Sequence, residues 1–253
     1  MKPTTDDILA PSSVIAAAER VECRLNEAEA ASITRHALMM LDANKYVNLT
    51  RITEPEAVLR LHIMDSLAWL QHVAPVHGPL VDIGSGAGYP GVPLAIALGI
   101  HTVLCESVQK KAKYLRDVLL EIDCSAEVYA GRAEELAVER GPFAETVVAR
   151  AVAPVASLVE LAAPLLMVGG RLIALKGALT GGEVELGKRA AEFCGLELAG
   201  ASSYVLPGGD EMRATVEFVK ARGPRIKLPR QPGKAQREPL GGRQEKNMAD
   251  REE

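Results

Sequence analysis

From residue 79 onward, short apolar runs rich in β-branched residues alternate with segments of helical length, and that alternation leaves few folds open. The runs are LVDIG at 80–84, TVLCE at 102–106, AEVYA at 126–130, TVVA at 146–149 and RLIALK at 171–176. Between them, led by 109–122 and 154–166, lie stretches with helical length and pattern. Continuous apolar strands separated by helices imply a parallel sheet covered on both faces. Two further strands, about 197–206 and 212–220, flank PGGD, whose glycine pair suits a hairpin turn. The pattern therefore predicts a doubly wound α/β fold, mostly parallel, whose last strand is antiparallel. Ahead of it, residues 12–74 read as helical. Asn26 with Glu29, and Thr53 with Glu56, have the spacing of a capping box. Ile63, Leu67 and Leu70 form one apolar stripe, read as core. The expected organisation is a helical extension over 1–76, a ligand-binding α/β domain over 77–221 and a tail over 222–253.

A chain of 253 residues buries a core without disulfides or a structural metal. Its 48% hydrophobic and 25% charged residues exclude a wholly disordered protein. No apolar run reaches the roughly 18 residues of a membrane span, and the acidic start lacks the basic region of a signal peptide. The cytosol is the expected location. Cys23, Cys105, Cys124 and Cys194 are widely spaced without a CxxC pair, which argues against a zinc ribbon, a dithiol motif or a disulfide scaffold. They read as reduced, buried thiols, and no metal is expected. The net charge of −4 hides an asymmetry, because residues 222–253 carry nine Lys/Arg against five Asp/Glu. Prolines at 224, 229 and 232 interrupt this run, so it reads as an extended, disordered basic arm. Arg225, Lys227 and Arg230 are its candidate contacts to nucleic-acid phosphates.

The sharpest motif is VDIGSGAGYPGVPLAIAL at 81–98. Gly84, Gly86 and Gly88 form the turn from strand to helix, where glycine permits unusual backbone angles and a close ligand approach. Free N–H groups at the helix start are expected to meet a polar ligand. Residues 86–91, GAGYPG, match the dinucleotide string G-x-G-x-x-G, yet the glycine nearest the strand is Gly84, two residues earlier. Asp82 before it suits a loop for S-adenosyl-L-methionine (SAM). SAM is favoured over NAD, with a purely structural turn as the third alternative. Glu106 ends the second strand, where a carboxylate can take both ribose hydroxyls; a plain helix N-terminal acid is the alternative. Ala133 and Glu134, in GRAEEL, stand at the crevice edge, where such a turn can take the adenine amino group; a plain exposed helix start is the alternative. Arg150 follows the fourth strand and is the candidate beside the reacting centre, against a simple ion pair. Lys176 ends the next strand as a phosphate candidate, with Lys45 and His62 as further candidates on the RNA side.

Several blocks occur in a fixed order: NKYVNLT at 44–50, LHIMDSL at 61–67, VDIGSGAGYPGVPLAI, GRAEEL, VARAVAPVASL at 148–158 and ALKG at 174–177. With the ending LPRQPGKAQREPL at 228–240, the chain over about 26–240 resembles the family of ribosomal RNA small subunit methyltransferase G, also called glucose-inhibited division protein B. The resemblance implies a class I SAM-dependent fold and methylation of a guanine N7 in the decoding-region loop of 16S rRNA. It places cofactor contacts on Gly84, Tyr89, Ala133, Glu134 and Arg150. It also implies a partner, the small ribosomal subunit or an assembly intermediate. Two positions depart from the family pattern: Leu61 stands where Lys or Arg usually precedes His62, and Ala43 where an aromatic often precedes Asn44.

Guanine N7 carries a lone pair and no proton, so its methylation needs alignment and no general base. The rival classes are a SAM methyltransferase for another substrate, an NAD-dependent oxidoreductase, and a SAM-sensing module or ribosome adaptor without chemistry.

Overall fold

A computed structural model describes residues 3–150 and 152–242. The chain forms α1 (Thr5–Ile8), α2 (Pro11–Glu19), α3 (Glu27–Val47), α4 (Pro55–Val58), a π-helical turn (Leu59–Met64), α5 (Asp65–Leu67) and α6 (Leu70–Val73). There follow β1 (Leu80–Ile83), α7 (Gly91–Leu98), β2 (Thr102–Cys105), α8 (Gln109–Leu119), β3 (Ala126–Tyr129) and α9 (Ala133–Arg140). The remainder is β4 (Ala144–Arg150), α10 (Val155–Ala162), β5 (Leu166–Lys176), α11 (Gly181–Cys194), β6 (Leu196–Val205), β7 (Met212–Lys220) and α12 (Lys234–Arg237). The seven strands take the order β3-β2-β1-β4-β5-β7-β6. Strands β1, β2 and β3 pair in parallel, as do β4 and β5, while β7 runs antiparallel to β5 with Ala174 opposite Val216. This is the doubly wound layout read from the apolar runs, with its antiparallel last strand. Among the described residues no helix is long and apolar enough to cross a membrane.

By compactness the chain divides into residues up to 131 with 205–210, and 132–204 with the residues after 210. In the first unit the leading helices have no core of their own. Val14, Ile33, Met40, Ile63 and Leu67 are buried in one cluster with Val92 of α7, Leu104 of β2 and Leu115 of α8. The boundary expected at residue 76 therefore does not separate two cores. Asn26 caps α3 as its spacing predicts: its side chain accepts from the Glu29 N–H at 2.9 Å, and Glu29 Oε2 accepts from the Asn26 N–H at 2.8 Å. The second expected box is corrected. Glu54 is the N-cap of α4 and Pro55 its first residue, so Pro55, already shaped for a helix start, overrides Thr53. The helix expected over AVLRLHIMDSLAWLQHV is also interrupted by the π-helical turn, and residues 62–69 are all buried, not only one stripe.

What docks α3 and the π turn in this unit is the ring of Tyr89. It lies between His36 and His62, with centroid separations of 4.5 and 4.6 Å and interplanar angles of 28° and 8°. Such stacks are worth about 0.5–1.5 kcal/mol each beyond burial. His36 Nε2 lies 2.8 Å from the Ala87 carbonyl oxygen, which can only accept, so that nitrogen carries the proton. Gly88 leaves room for the imidazole: a Cβ there would stand 2.8 Å from His36 Nε2.

In the second unit, Val147, Leu158, Leu172 and Phe218 are fully buried. The buried Lys220 ammonium donates to the Ala163 and Cys194 carbonyls at 2.9 and 2.8 Å, at the C-terminal ends of α10 and α11. Desolvation lowers its pKa, while the helix-end carbonyls favour a cation there. The tail is a second correction. Residues 222–242 are placed against this unit, with Ala235 and Leu240 buried at 2% and 3% exposure. Apolar anchors and partners for its arginines explain why this part is not a free arm. The rest of the tail expectation lies outside the described residues.

Burial holds the His36 pKa down from 6.5 to about 4, against the opposing pull of the Ala87 carbonyl. Between those values the unfolded chain binds a proton that the folded chain excludes, so stability falls as pH drops through that window. The expected loss is on the order of 3 kcal/mol, with the slope of one proton. Urea midpoints measured against pH should show it, and His36→Gln should flatten that component. An unchanged slope in the variant would contradict the assignment.

Candidate functional site

The glycine loop leaves β1 and turns back at once. The φ angles of Gly84, Gly86 and Gly88 are 73°, 57° and 93°, a region side chains other than glycine rarely occupy. Gly84 and Ser85 donate their N–H groups to the Cys105 carbonyl at 2.8 and 3.2 Å, and Gly88 donates to the Ser85 carbonyl at 2.7 Å. Gly86 donates to Glu106 Oε2 at 2.9 Å. These four amides are therefore internally satisfied, and so are those of Gly91 and Val92 at the helix start, where free N–H groups are expected from the sequence. Gly91 explains how α7 reaches β1: a Cβ there would come within 2.5 Å of both Asp82 Oδ2 and Leu104 Cδ2. Its N–H instead donates to Asp82 Oδ2 at 3.1 Å, so Asp82 ties strand to helix.

Glu106 is 5% exposed at the end of β2. Besides accepting from Gly86, its Oε1 accepts from the Val108 N–H at 2.7 Å. Each carboxylate oxygen retains a second lone pair. Gly84, Gly86, Gly88, Tyr89, Glu106 and His62 are thus assembled in one unit. Both faces of the Tyr89 ring are covered by imidazoles, leaving its edge and backbone. His62, a candidate on the RNA side, is instead buried against Tyr89, and its Nε2 lies 3.0 Å from Thr50 Oγ1. Asn44 Oδ1, in the last turn of α3, in turn accepts from the Leu49 and Thr50 N–H groups, so the chain leaving α3 is braced behind the histidine. Lys45 stands apart on the surface, 2.9 Å from Asp42. His36 is not legible as a site residue in the sequence, because only contacts across 51 positions reveal its role.

In the second unit, Ala133 and Glu134 open α9. The Glu134 carboxylate accepts from the Gly233 N–H at 2.7 Å, a partner that the motif GRAEEL does not hint at. Arg150 closes β4, half-buried, opposite Leu175 of β5. Lys176 is corrected as a phosphate contact. Its ammonium donates to the Ala153 carbonyl at 3.1 Å and pairs with Glu183 at 2.8 Å, with side chains only 16% and 22% exposed. Glu183 also accepts from the Val155 N–H at 3.2 Å, capping α10 where Pro154 supplies no side-chain acceptor. Arg230 is likewise corrected: it grips the buried Glu160 with two nitrogens. Arg225 and Lys227 remain exposed. Burial raises the thiols of Cys23 to about 11 and of Cys124 and Cys194 to about 12, which keeps them protonated and poor nucleophiles.

The loop fits SAM better than a pyridine dinucleotide. A pyrophosphate needs free N–H donors, and four of the loop's donors are spent. A nucleoside ribose, which either cofactor carries, needs acceptors, and Glu106 retains them without choosing between the two. Among the described residues, a Cβ on Gly86 would meet only the Gly84 carbonyl oxygen, at 3.8 Å.

Residues 29–205 match the family model described as rRNA small subunit methyltransferase G. The ribosomal RNA small subunit methyltransferase G of Clostridium novyi is 34% identical over 230 residues, 88% of this chain and 94% of that protein. The same-named protein of Carboxydothermus hydrogenoformans is 35% identical, over 81% of this chain and 89% of its own. That of Chloroflexus aggregans is 36% identical, over 85% and 92%. The sheet order, the loop after β1 and these matches across most of both chains carry one conclusion: the chain belongs to the rRNA small subunit methyltransferase G family, whose members are SAM-dependent methyltransferases.

Proposed function

We infer that this chain methylates N7 of a guanine in 16S rRNA, with SAM as methyl donor and the small ribosomal subunit or an assembly intermediate as partner, in the cytoplasm. When bound, SAM supplies a methyl group activated by its sulfonium sulfur. The chain's own task is then to hold and to align. The observation that carries the reading is the Glu106 carboxylate, buried at the end of β2, braced by Gly86 and Val108, and retaining acceptors for two ribose hydroxyls. Gly84, Gly86 and Gly88 shape the wall of that site, and Tyr89 keeps the loop in place. Ala133 and Glu134 would read the adenine edge.

Arg150 would orient the target nucleotide through its phosphate or guanine O6. Lys176 and Glu183 serve it indirectly, since their pair fixes Ala153 and Val155 a few residues after it. N7 is already a free nucleophile, so no side chain has to remove a proton. High thiol pKa values and the absence of any demand for a base agree on that point. Lys45, Arg225 and Lys227, exposed on the surface, are the proposed phosphate contacts.

Mapping methylated guanines in 16S rRNA from cells with and without this protein tests the reaction; an unchanged pattern would contradict it. Glu106→Gln should weaken SAM binding about tenfold or more, because charge-assisted hydrogen bonds disappear, in calorimetric titration. Arg225→Gln with Lys227→Gln should lower rRNA affinity and reduce the salt slope by about one for each phosphate left without its cation.

A further inference from the structure

The C-terminal segment read as a nucleic-acid arm is bolted to the second unit by two buried carboxylates. Arg230 meets Glu160 of α10 with Nε on one oxygen and an Nη on the other, and the two side chains are 13% and 3% exposed. The same guanidinium donates to the Glu238 carbonyl at 2.7 Å, closing the segment 230–238 into a loop. At its tip Gly233, with φ of 77°, turns its N–H onto Glu134 Oε1 at 2.7 Å. Ala235 and Leu240 bury the apolar side of the segment. Beyond it a Cβ on Gly241 would strike the Leu186 carbonyl at 2.7 Å, so the chain runs close along α11. Carboxylates as buried as Glu134 and Glu160 are costly without partners. Here the segment provides partners to both, and thereby links the first turn of α9 to α10.

We propose that residues 228–240 are a strap that positions the cofactor site, with Arg230 and the Gly233 N–H as positioning groups. By taking the Glu134 carboxylate, the strap fixes the backbone of Ala133 and Glu134 that reads the cofactor's adenine. This rests on the SAM reading given above. Linkage then requires reciprocity: if an ordered strap favours SAM, bound SAM must order the strap.

The test uses the full chain. Arg230→Gln should raise the SAM dissociation constant and KM about fivefold or more, with kcat and the salt slope of rRNA binding little changed. Arg222→Gln removes the same charge from an exposed pair with Glu197 and should leave SAM affinity intact. In the unaltered chain, SAM should slow hydrogen exchange across 228–240. That measurement stands alone should Arg230→Gln fail to fold. Unchanged SAM affinity in Arg230→Gln, or strap exchange indifferent to SAM, would overturn the proposal. A salt slope lower by about one in that variant would identify Arg230 as a phosphate contact instead. Glu106→Gln measured in parallel separates the two readings. If it weakens SAM while Arg230→Gln does not, the strap proposal alone falls; if neither affects SAM, the cofactor reading falls and the strap proposal with it.

Discussion

The ring of Tyr89, held between two imidazoles, is the contact on which the glycine loop depends. A loop with three residues at positive φ has little intrinsic preference for one shape, because glycine gives up more conformational freedom than any other residue on ordering. The clamp supplies what the loop lacks. His36 reaches it from α3 and also holds the Ala87 carbonyl; His62 reaches it from the π-helical turn, itself braced by Thr50 and Asn44. The leading helices are thus part of the loop's support, and they share a core with β2, α7 and α8 instead of forming a separate body. Burial keeps the His36 imidazole neutral within this arrangement.

The second unit is organised by acids that are answered internally. Glu134, Glu160 and Glu183 would each be expensive if left alone in the places they occupy. Gly233, Arg230 and Lys176 answer them in turn. The consequence is a division among the basic residues: Arg230 and Lys176, with carboxylate partners shielded from solvent, hold helices and loops in place, while Lys45, Arg225 and Lys227, the proposed phosphate contacts, stay at the surface. Charge counting along the sequence cannot make that division, since a lysine in an ion pair and a lysine facing RNA look alike.

What the sequence displays well is whatever is local. The seven strands lie within a few residues of the apolar runs, the capping box at Asn26 forms, and the glycine loop and Glu106 meet. Twenty positions separate Gly86 from Glu106, but a strand–helix–strand unit brings them together by rule. The failures are equally physical. Thr53 yields to Pro55 because two start signals compete within three residues. The π-helical turn breaks a periodicity that a repeating pattern assumes. The tail defeats a local reading because its partners lie 70 and 99 residues away, and no nearby pattern announces such pairings. His36 is hidden for the same reason, in a helix where an isolated histidine carries no signal of its own.

The central claim is that the Gly84–Gly88 loop and Glu106 receive SAM. Backbone amide resonances of the isotopically labelled full chain, followed during titration with SAM and separately with NAD, address it residue by residue. The account predicts saturable shifts at Gly84, Gly86, Gly88 and Glu106 with SAM and none of comparable size with NAD. Resonances there that ignore SAM, or that move with NAD instead, would contradict it.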